Sequence, residues 1–293
     1  MLVTIFTPTY NRQHLIENLY QSLLRQTQKN FEWLVVDDGS TDGTEKYFNN
    51  LLKNKQQFIV RYIKQNNGGK HRAVNEGVSN AQGTLFFIVD SDDYLADNAI
   101  EKICKWANSL DDSHKWAGIA GLKGYSLESV IGGKGGKSFI DAKNNERKKY
   151  HLAGDKAEVY FTHVLRKYPF PEFENEKFIT EDVVWNEIAC DGYYLRWFPE
   201  IIYIAEYQKD GLTKNIHEMN KRNPRGLLFW AKRQIKAFPY DYVEQMLAIV
   251  CYHIAVKDKY SNKVIAQQLE ITMIYLYIAI VASKISALLR LKH

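Results

Sequence analysis

The sequence predicts an α/β protein with a mixed, mainly parallel β-sheet, helices on both faces and a C-terminal helical segment. Three observations support this fold class. Apolar runs of strand length alternate with stretches of helical periodicity through the first hundred residues. Short polar loops follow the strands, which is typical of parallel sheets built from strand–helix units. Beyond residue 226 the pattern is helical throughout.

The expected elements follow in order. Runs rich in β-branched and aromatic residues predict strands at 2–6, 31–36, 58–63, 84–89, 116–122, 195–198 and 201–207. The last two are expected to close the edge of the sheet. Apolar residues at helical spacing predict helices at 13–26, 45–52, 98–109, 227–238, 242–256 and 263–291. A further helix is expected after the loop at 67–72 and through about residue 81. The glycine-rich stretch at 132–137 is expected to be a solvated loop, with a lid as the alternative.

Charge is unevenly distributed along the 293 residues. The net charge is +5, but residues 214–293 contain 13 Lys/Arg and 5 Asp/Glu, so the rest of the chain is slightly acidic. A basic segment of this kind indicates an anionic surface as a partner. Its apolar run at 271–283 is shorter than the ~20 residues of a spanning helix. Two alternatives therefore stay open, a buried helix of a bundle and an interfacial helix on anionic lipid.

Cysteine usage and the amino terminus favour a cytoplasmic protein, peripheral at the inner membrane face if the basic helices attach there. The three cysteines are far apart and form no Cys/His cluster, so neither a zinc site nor a disulfide framework is expected. No basic segment, apolar stretch and cleavage site precede the first strand, so no signal peptide is expected. A nucleic-acid partner is not expected either.

Four polar loops follow strands that should lie side by side. Ligands of parallel α/β sheets bind outside the carboxyl ends of the strands, so residues 7–12, 37–42, 68–72 and 90–93 should face one crevice. No GxGxxG or GxxxxGK[ST] signature follows the first strand, which weighs against dinucleotide and P-loop sites. Asp38 could bind a base or ribose and Tyr10 could pack on a ring, although a turn and plain packing explain them as well.

Two acidic stretches suggest chemistry. Asp90 and Asp92 end a buried strand, and a divalent ion such as Mg²⁺ or Mn²⁺ would relieve their repulsion. The alternative is a turn and a helix cap, for which Asp93 is the best candidate. Glu181 and Asp182 precede an apolar run and could cap a helix, or one of them could act as a general base.

Five motifs occur in the order found in one enzyme family. They are Thr7-Pro8-Thr9-Tyr10-Asn11-Arg12, Asp37-Asp38-Gly39-Ser40-Thr41-Asp42-Gly43, Asn67-Gly68-Gly69, Asp90-Ser91-Asp92-Asp93 and Glu181-Asp182. Together they resemble the motifs of family 2 glycosyltransferases over roughly residues 1–210. The resemblance implies a GT-A fold, with a nucleotide-sugar-binding half at 1–95 and an acceptor-binding half at 96–210. Residues 211–293 would form an added helical region that could associate with a membrane.

The resemblance also implies roles for single residues. Asp92 would be the direct ligand of Mn²⁺ or Mg²⁺ within a DxD motif, with Asp90 as a second contact to the metal or ribose. Asp182, with Glu181 beside it, would be the catalytic base. The residues expected to bind the nucleotide sugar are Thr7, Pro8, Tyr10, Arg12, Asp38, Gly69, Lys70, Arg72, Asp90 and Ser91. Three histidines, His71, His163 and His217, are further candidates for metal ligation.

The function implied is a metal-dependent, inverting glycosyltransferase of bacterial polysaccharide synthesis. It would move a sugar from a nucleotide-diphosphate donor, expected to be a UDP-sugar, to a hydroxyl of a glycan or lipid-linked acceptor. Two alternatives remain, a nucleotide-sugar-binding protein without transfer activity and a nucleotidyltransferase. The second lacks a Gly-rich, Lys/Arg-bearing signature after the first strand.

Overall fold

The computed structural model describes residues 1–206 and 216–290, the last five without side chains. Internal contacts divide the chain into two compact units, Met1–Phe170 with Ile188–Lys209, and Pro171–Glu187 with Asp210–His293. The first unit contains the sheet, and the second contains all the described helices beyond residue 215. The expected boundary between residues 210 and 211 lies outside the described residues, and the functional halves 1–95 and 96–210 stay a prediction.

The strands are β1 Val3–Thr9, β2 Phe31–Asp37, β3 Ile59–Lys64, β4 Leu85–Ile88, β5 Tyr94–Leu95, β6 Trp116–Gly124, β7 Ile140–Ala142, β8 Lys156–Phe161 and β9 Tyr194–Ile204. The α-helices are α1 Ile16–Arg25, α2 Thr44–Leu51, α3 Lys70–Asn80, α4 Ala99–Ala107, α5 Thr162–Leu165, α6 Asp182–Cys190, α7 Ile216–Arg222, α8 Pro224–Ala237, α9 Tyr242–Val256, α10 Asn262–Leu269 and α11 Met273–Arg290. A 3₁₀ helix spans Asn144–Tyr150.

In the described residues, nine strands form one mixed sheet. The order is β3-β2-β1-β4-β8-β6-β9-β5, and β7 pairs with β9. The pairs among β1 to β4 are parallel, as is β6 with β9, whereas β8, β5 and β7 pair antiparallel with their neighbours. The predicted fold class is confirmed. Because β6 and β9 run in the same direction as β4, their carboxyl ends lie at the same edge as the carboxyl end of β4.

The sheet has helices on both faces, as predicted. One apolar face of β1, with Val3 and Ile5, belongs to a core that also contains residues of α1 and α4. On the other face, Phe6 stacks on Phe86 at 5.0 Å between ring centroids. α3 approaches this ring so closely that a Cβ on Gly77 would lie 2.2 Å from Phe6. Gly77 therefore permits the close packing of α3 on the sheet.

One expectation about the end of the sheet was wrong. The separate strands predicted at 195–198 and 201–207 form the single strand β9, which lies between β6 and β5 and is not the edge. The register against β6 shifts between Trp197 and Ile201. Pro199, which has no N–H to donate, lies in this irregular stretch, and bulges accommodate proline within a continuous strand. Tyr207 of the predicted strand lies outside the described residues.

The glycine-rich stretch is anchored to the following segment. Gly133 N–H donates to Ala153 O at 2.8 Å and Gly135 N–H donates to His151 O at 3.1 Å. The buried Lys156 Nζ donates to Ala153 O at 2.8 Å and to Ile131 O at 3.2 Å. These bonds support an ordered loop, and the alternative of a lid gains no support from them.

The C-terminal helices of the second unit share their own apolar core, which includes Ala231, Ile249, Tyr252, Ile265 and Leu276. α9 begins as predicted, because the Asp241 carboxylate accepts hydrogen bonds from the N–H groups of Val243 and Glu244.

The predicted helix at 263–291 is instead two helices, and its residue 291 lies outside the described residues. Glu270 adopts a left-handed conformation, and Ile271 N–H donates to Ala266 O, which is the pattern of a Schellman helix end. Thr272 Oγ1 then accepts from Tyr275 N–H and begins α11. Among the described helices, none alone has the length and apolar character of a membrane span. The bent pair Asn262–Leu269 and Met273–Ile285, at 105°, meets that test only when taken together.

Candidate active site

The polar loops predicted to converge do meet at the carboxyl edge of the sheet. The backbone N–H of Asp38, after β2, donates to Thr9 O of β1 at 2.8 Å. The Arg12 guanidinium lies 3.9 Å from the Asp92 carboxylate, and the Lys70 Nζ lies 2.6 Å from the Asp90 carboxylate. Residues from loops far apart in sequence thus form one cluster of charges, because parallel strands place their carboxyl ends at a common edge.

Asp38 is the centre of the first part of this cluster. Its carboxylate accepts four hydrogen bonds, from the backbone N–H groups of Gly68 and Gly69 at 2.8 and 2.7 Å, and from the side-chain amides of Gln65 and Asn67 at 2.7 and 3.1 Å. A carboxylate offers about four lone-pair positions. The Asp38 carboxylate is therefore saturated, and direct recognition of a base would require one of these donors to move.

Two positions in these loops require glycine. Gly39 has φ +80°, and a Cβ there would lie 2.8 Å from the backbone N of Asn67. Gly69 has φ +97° at the start of α3, a conformation that L side chains rarely adopt. Gly39 therefore brings the loop after β2 close to the loop after β3, and Gly69 turns its N–H toward Asp38.

The other residues predicted to contact the nucleoside differ in exposure. Thr7 and Pro8 are buried within β1, and the Thr7 hydroxyl accepts a hydrogen bond from the Trp33 indole N–H at 3.0 Å. Tyr10, just beyond the strand, is 47% exposed. Of these three side chains, only Tyr10 is exposed enough to pack against the ring of a ligand. Thr7 and Pro8 are part of the buried strand.

Asp90 and Asp92 form the second part of the cluster, and their pKa values move in opposite directions. Burial would raise the pKa of Asp90, but the positive charges of Lys70, Lys123 and Arg12 outweigh it and hold the pKa below its usual value. Burial raises the pKa of Asp92, and the Asp90 charge adds to this rise. Asp92 is thus the carboxylate whose negative charge is less well compensated by its surroundings. Ser91, between them, is buried.

Asp93 was expected to cap the next helix, and this expectation was wrong. Its carboxylate accepts from Tyr203 OH at 2.5 Å and from Glu206 N–H at 2.8 Å, while α4 begins only at Ala99. Tyr203 OH in turn accepts from Asp90 N–H at 3.1 Å. Burial, with the Asp90 charge, raises the pKa of Asp93 to about 7. Asp93 and Tyr203 therefore fasten the acidic loop to the end of β9.

Lys123 was not among the predicted site residues. It is near the carboxyl end of β6, its Nζ lies 4.2 Å from the centre of the Tyr203 ring, and its charge acts on Asp90. The signal available in sequence was a single lysine at the end of an apolar strand. That signal is weak unless the strand is known to run parallel to β4.

Donor chemistry at Asp90 and Asp92 fits a hard divalent cation, because both residues supply carboxylate oxygens. Within the described ranges no group of three or more His, Cys, Asp or Glu side chains forms a ready-made metal site, so any ion would take further ligands from elsewhere. His71 is buried on α3. His163 follows β8, whose end pairs with the start of β4, so it lies at the opposite edge of the sheet from Asp90. His217 is an exposed residue of α7 in the second unit.

Arg72 occupies the first turn of α3 beside the glycine loop, and a Cβ on Gly68 would lie 2.5 Å from the Arg72 Cδ. Its side chain therefore packs directly over Gly68. Arg72, Lys70 and Arg12 are thus three cationic side chains of the loops at this edge, and the last two lie beside the carboxylates of Asp90 and Asp92.

Asp182 belongs to the second unit, where it begins α6. One carboxylate oxygen accepts from the Thr180 hydroxyl, and the other accepts from the Trp230 indole N–H at 2.9 Å and from the Gln234 amide. Burial raises the pKa of Asp182, against the lowering effect of these hydrogen bonds. The neighbouring Glu181 is half-buried, and its backbone carbonyl accepts the first helical hydrogen bonds. The candidate base Asp182 is therefore also the first residue of α6.

Residues 4–128, which contain both acidic loops, match the model of glycosyl transferase family 2. This part of the chain belongs to that family. The prediction of a glycosyltransferase is thereby confirmed at the level of the family, over the segment that contains Asp38, Asp90 and Asp92. Asp182 lies beyond the matched segment.

Relatives agree with this assignment. The putative teichuronic acid biosynthesis glycosyltransferase TuaG of Bacillus subtilis is 30% identical over 146 residues, which cover 49% of this chain and 58% of TuaG. Three other curated glycosyltransferases match over 22%, 32% and 54% of their own lengths, so the chain spans about half or less of these relatives.

Solved structures share the fold. The crystal structure of S. aureus TarS 1-349 in complex with UDP-GlcNAc has a TM-score of 0.63 at 17% identity, covering 95% of this chain and 88% of that one. The mannosyltransferase PcManGT from Pyrobaculum calidifontis, in complex with GDP-Man and Mn²⁺, has a TM-score of 0.58 at 19% identity, covering 95% and 86%. These similarities confirm the GT-A fold predicted from the motifs.

Proposed function

We propose that the chain is a metal-dependent, inverting glycosyltransferase of polysaccharide synthesis that uses a nucleotide-diphosphate sugar. The observation that carries the proposal is the pair Asp90 and Asp92 at the edge of the sheet, with Lys70 2.6 Å from the first and Arg12 3.9 Å from the second. Two carboxylates among cations, beside a glycine loop, suit a divalent ion together with a diphosphate. The family of residues 4–128 supports the same reaction class.

Asp92, and with it Asp90, would hold Mn²⁺ or Mg²⁺. A bound ion of this kind would neutralise the diphosphate as the bond to the sugar breaks. Mn²⁺ in the complex of the mannosyltransferase PcManGT supports this assignment. Lys70 and Arg12 would then exchange their carboxylate partners for phosphate oxygens, which are equally good acceptors for a cation. The side chains that contact the carboxylates here would thereby come to bind the donor.

The nucleoside would lie over the ends of β1 and β2. Tyr10 would pack on the base or ribose, and Asp38 would act mainly by fixing Gly68 and Gly69, since its own acceptor positions are filled. A uridine nucleotide remains the preferred donor, and the UDP-GlcNAc complex of TarS supports it. The GDP-Man complex of PcManGT makes a guanosine nucleotide the natural comparison in any screen.

Asp182 would take the proton from the acceptor hydroxyl as that oxygen attacks the anomeric carbon and the diphosphate leaves, which inverts the configuration. A carboxylate whose pKa is raised by burial is a better proton acceptor than an ordinary aspartate. Trp230, Gln234 and Thr180 fix the orientation of both carboxylate oxygens. Glu181 would support Asp182 by its charge, which acts in the same direction on the pKa.

The acceptor is proposed to be a hydroxyl of a glycan or of a lipid-linked glycan. TuaG, by its name, belongs to teichuronic acid biosynthesis, which supports a polysaccharide as the product. A cytoplasmic location at the inner face of the membrane, with a membrane surface as a further partner of the C-terminal helices, completes the proposal.

The experiment is a release and transfer assay with a panel of UDP- and GDP-sugars in the presence of Mn²⁺ and after chelation. We expect metal-dependent nucleotide release with at least one donor. Asp92→Asn should reduce it by about 10²–10³-fold, the usual scale of an electrostatic contact in an active site, and Asp182→Asn by about 10²–10⁴-fold, the usual contribution of a general base. The exposed Asp97→Asn is the matched control and should retain activity.

Three results would contradict the proposal. Binding of a nucleotide sugar without release would indicate a binding protein, and formation of a nucleotide sugar from a sugar phosphate would indicate a nucleotidyltransferase. Full transfer by Asp182→Asn would place the base elsewhere.

A further inference from the structure

One side of α11 consists of apolar side chains that are open to solvent. They recur every three or four residues, and 48% to 73% of each is exposed: Ile274, Tyr277, Ile278, Val281 and Ile285, called here the α11 stripe. The opposite side of the helix is fully buried in the core of the second unit through Leu276 and Ala279. The helix thus has two apolar sides, and among the described residues one of them packs in the core while the other is exposed.

Exposed apolar side chains in an unbroken row are uncommon on soluble proteins and mark a surface that contacts something else. From residue 271 to 283 the sequence contains no charged residue. α11 turns away from α10 by 105°, and the side of α11 opposite the stripe is occupied by protein. A helix with one free apolar side suits a position in the plane of a membrane surface.

Charge favours one occupant. After Glu270 the sequence carries three cations, Lys284, Arg290 and Lys292, and no acid. A second copy of the chain that docked through the same segment would offer these cations no carboxylate partner from it. The row is also narrow beside the roughly 800 Å² per partner of a stable protein interface. A bilayer of anionic lipid, in contrast, offers an apolar interior for the stripe and negatively charged headgroups for the cations.

We propose that the α11 stripe inserts into the surface of an anionic lipid bilayer, with α11 lying parallel to the membrane and its terminal cations on the headgroups. The inference rests on the membrane contact named in the proposed function, for which it specifies the residues and the lipid chemistry, and it does not depend on the proposed reaction. Nucleotide release in solution, without vesicles, should therefore be the same in variants of the stripe. This separates a failure of the membrane proposal from a failure of the proposed function.

The test is co-sedimentation of the full chain with vesicles of phosphatidylcholine alone or with about 30% phosphatidylglycerol, which gives the surface the negative potential that attracts Lys and Arg. The variant is Ile278→Ser with Val281→Ser. The matched control is Ile59→Ser with Leu127→Ser, which removes two apolar side chains of the first unit that are at least as exposed, at 50% and 64%. Burial of one such side chain changes a binding constant by more than tenfold, so the stripe variant should bind the vesicles at least ten times more weakly. The control should stay within about twofold of the parent chain.

A second arm tests the charge. Lys284→Gln with Arg290→Gln and Lys292→Gln should bind the anionic vesicles several-fold more weakly, and high salt should have a similar effect on the parent chain. Thermal unfolding of each variant verifies that the helices are intact. Absence of binding by the parent chain, equal binding by the stripe variant, or equal binding to neutral and anionic vesicles would overturn the proposal. Concentration-dependent dimerisation that the stripe variant abolishes, without vesicle binding, would overturn it in favour of a second copy.

Discussion

Each of the two acidic loops at the edge of the sheet follows a parallel strand, but their carboxylates have different partners. The Asp38 carboxylate, after β2, is saturated by four neutral N–H donors, two of them from the backbone of Gly68 and Gly69. The carboxylates of Asp90 and Asp92, after β4, instead face the cationic ends of Lys70 and Arg12. Neutral backbone donors cannot leave without unfolding the loop, whereas a side-chain cation can exchange one anion for another.

This difference suggests a division of labour. On the proposed function, the first loop would be a fixed frame for the nucleoside, and the second would be a set of charges that a metal ion and a diphosphate can rearrange. Substitutions in the first loop should therefore affect folding stability, and those in the second should affect turnover. Each prediction below tests that contrast.

The largest effect is expected for Asp92→Asn. The amide keeps the shape of the side chain but loses the charge for a divalent ion, so turnover should fall by about 10²–10³-fold, as for other electrostatic contacts in active sites. Thermal stability should be nearly unchanged, because burial and the Asp90 charge already disfavour the ionised form of Asp92. Steady-state kinetics with saturating Mn²⁺ and a melting curve measure both. A large loss of stability with normal turnover would show that the second loop acts on folding, and it would contradict the contrast between the two loops.

Asp38→Ala should act mainly on stability. Removal of the carboxylate leaves the N–H groups of Gly68 and Gly69 without their acceptor, and a buried donor left unsatisfied costs about 1–3 kcal/mol. Urea unfolding of the variant should therefore show a loss of roughly 2–4 kcal/mol, given two backbone donors. Asp38→Asn, which keeps one carbonyl oxygen, should lose less. An unchanged unfolding midpoint in Asp38→Ala would show that the loop is not held by this carboxylate.

Lys70→Met should reduce donor affinity rather than stability. The ammonium group is partly exposed, so its ion pair with Asp90 adds little to folding. If Lys70 binds a phosphate of the donor as proposed, its loss should raise the KM for the donor by about 10-fold, within the range for charge-assisted contacts. The control is Lys102→Met, which removes a comparable ion pair with Glu200 at 2.8 Å. Equal kinetic constants in Lys70→Met and Lys102→Met would remove Lys70 from the site.

Tyr203→Phe should give the smallest effect. The change deletes the hydroxyl that donates to Asp93 and accepts from the Asp90 N–H, so the second loop loses its tie to β9. Outer-shell hydrogen bonds of this kind typically contribute about 10-fold or somewhat more to metal affinity. The apparent Kd for Mn²⁺, measured by titration of activity, should rise by that factor. Tyr168→Phe, which removes an exposed hydrogen bond to Asp191, should leave it unchanged.

The sequence was sufficient to predict the alternation of strands and helices and the meeting of the four loops, because both follow from local periodicity and from the geometry of parallel strands. It did not predict the irregular stretch around Pro199 in β9, since a proline in an extended run usually marks a strand end. The break at Glu270 was also missed. A left-handed residue other than glycine is a conformation that composition does not reveal.

Within the site, the chain positions were predictable but the partners of the side chains were not. Asp93 resembles a helix cap in sequence, and only the antiparallel pairing of β5 with β9 brings it to Tyr203. Lys123 belongs to the site because β6 runs in the same direction as β4, a relation set by the intervening β8. Such contacts join residues more than a hundred positions apart or depend on the order of strands in the sheet.

The most direct test is the effect of Mn²⁺ on nucleotide binding, measured by calorimetry with uridine and with UDP. If the first loop frames the nucleoside and the second holds metal and diphosphate, Mn²⁺ should tighten UDP binding by at least 10-fold and leave uridine unaffected. Asp92→Asn should abolish the effect of Mn²⁺ while uridine still binds. Equal tightening of UDP by Mn²⁺ in the parent chain and in Asp92→Asn would contradict this division between the two loops.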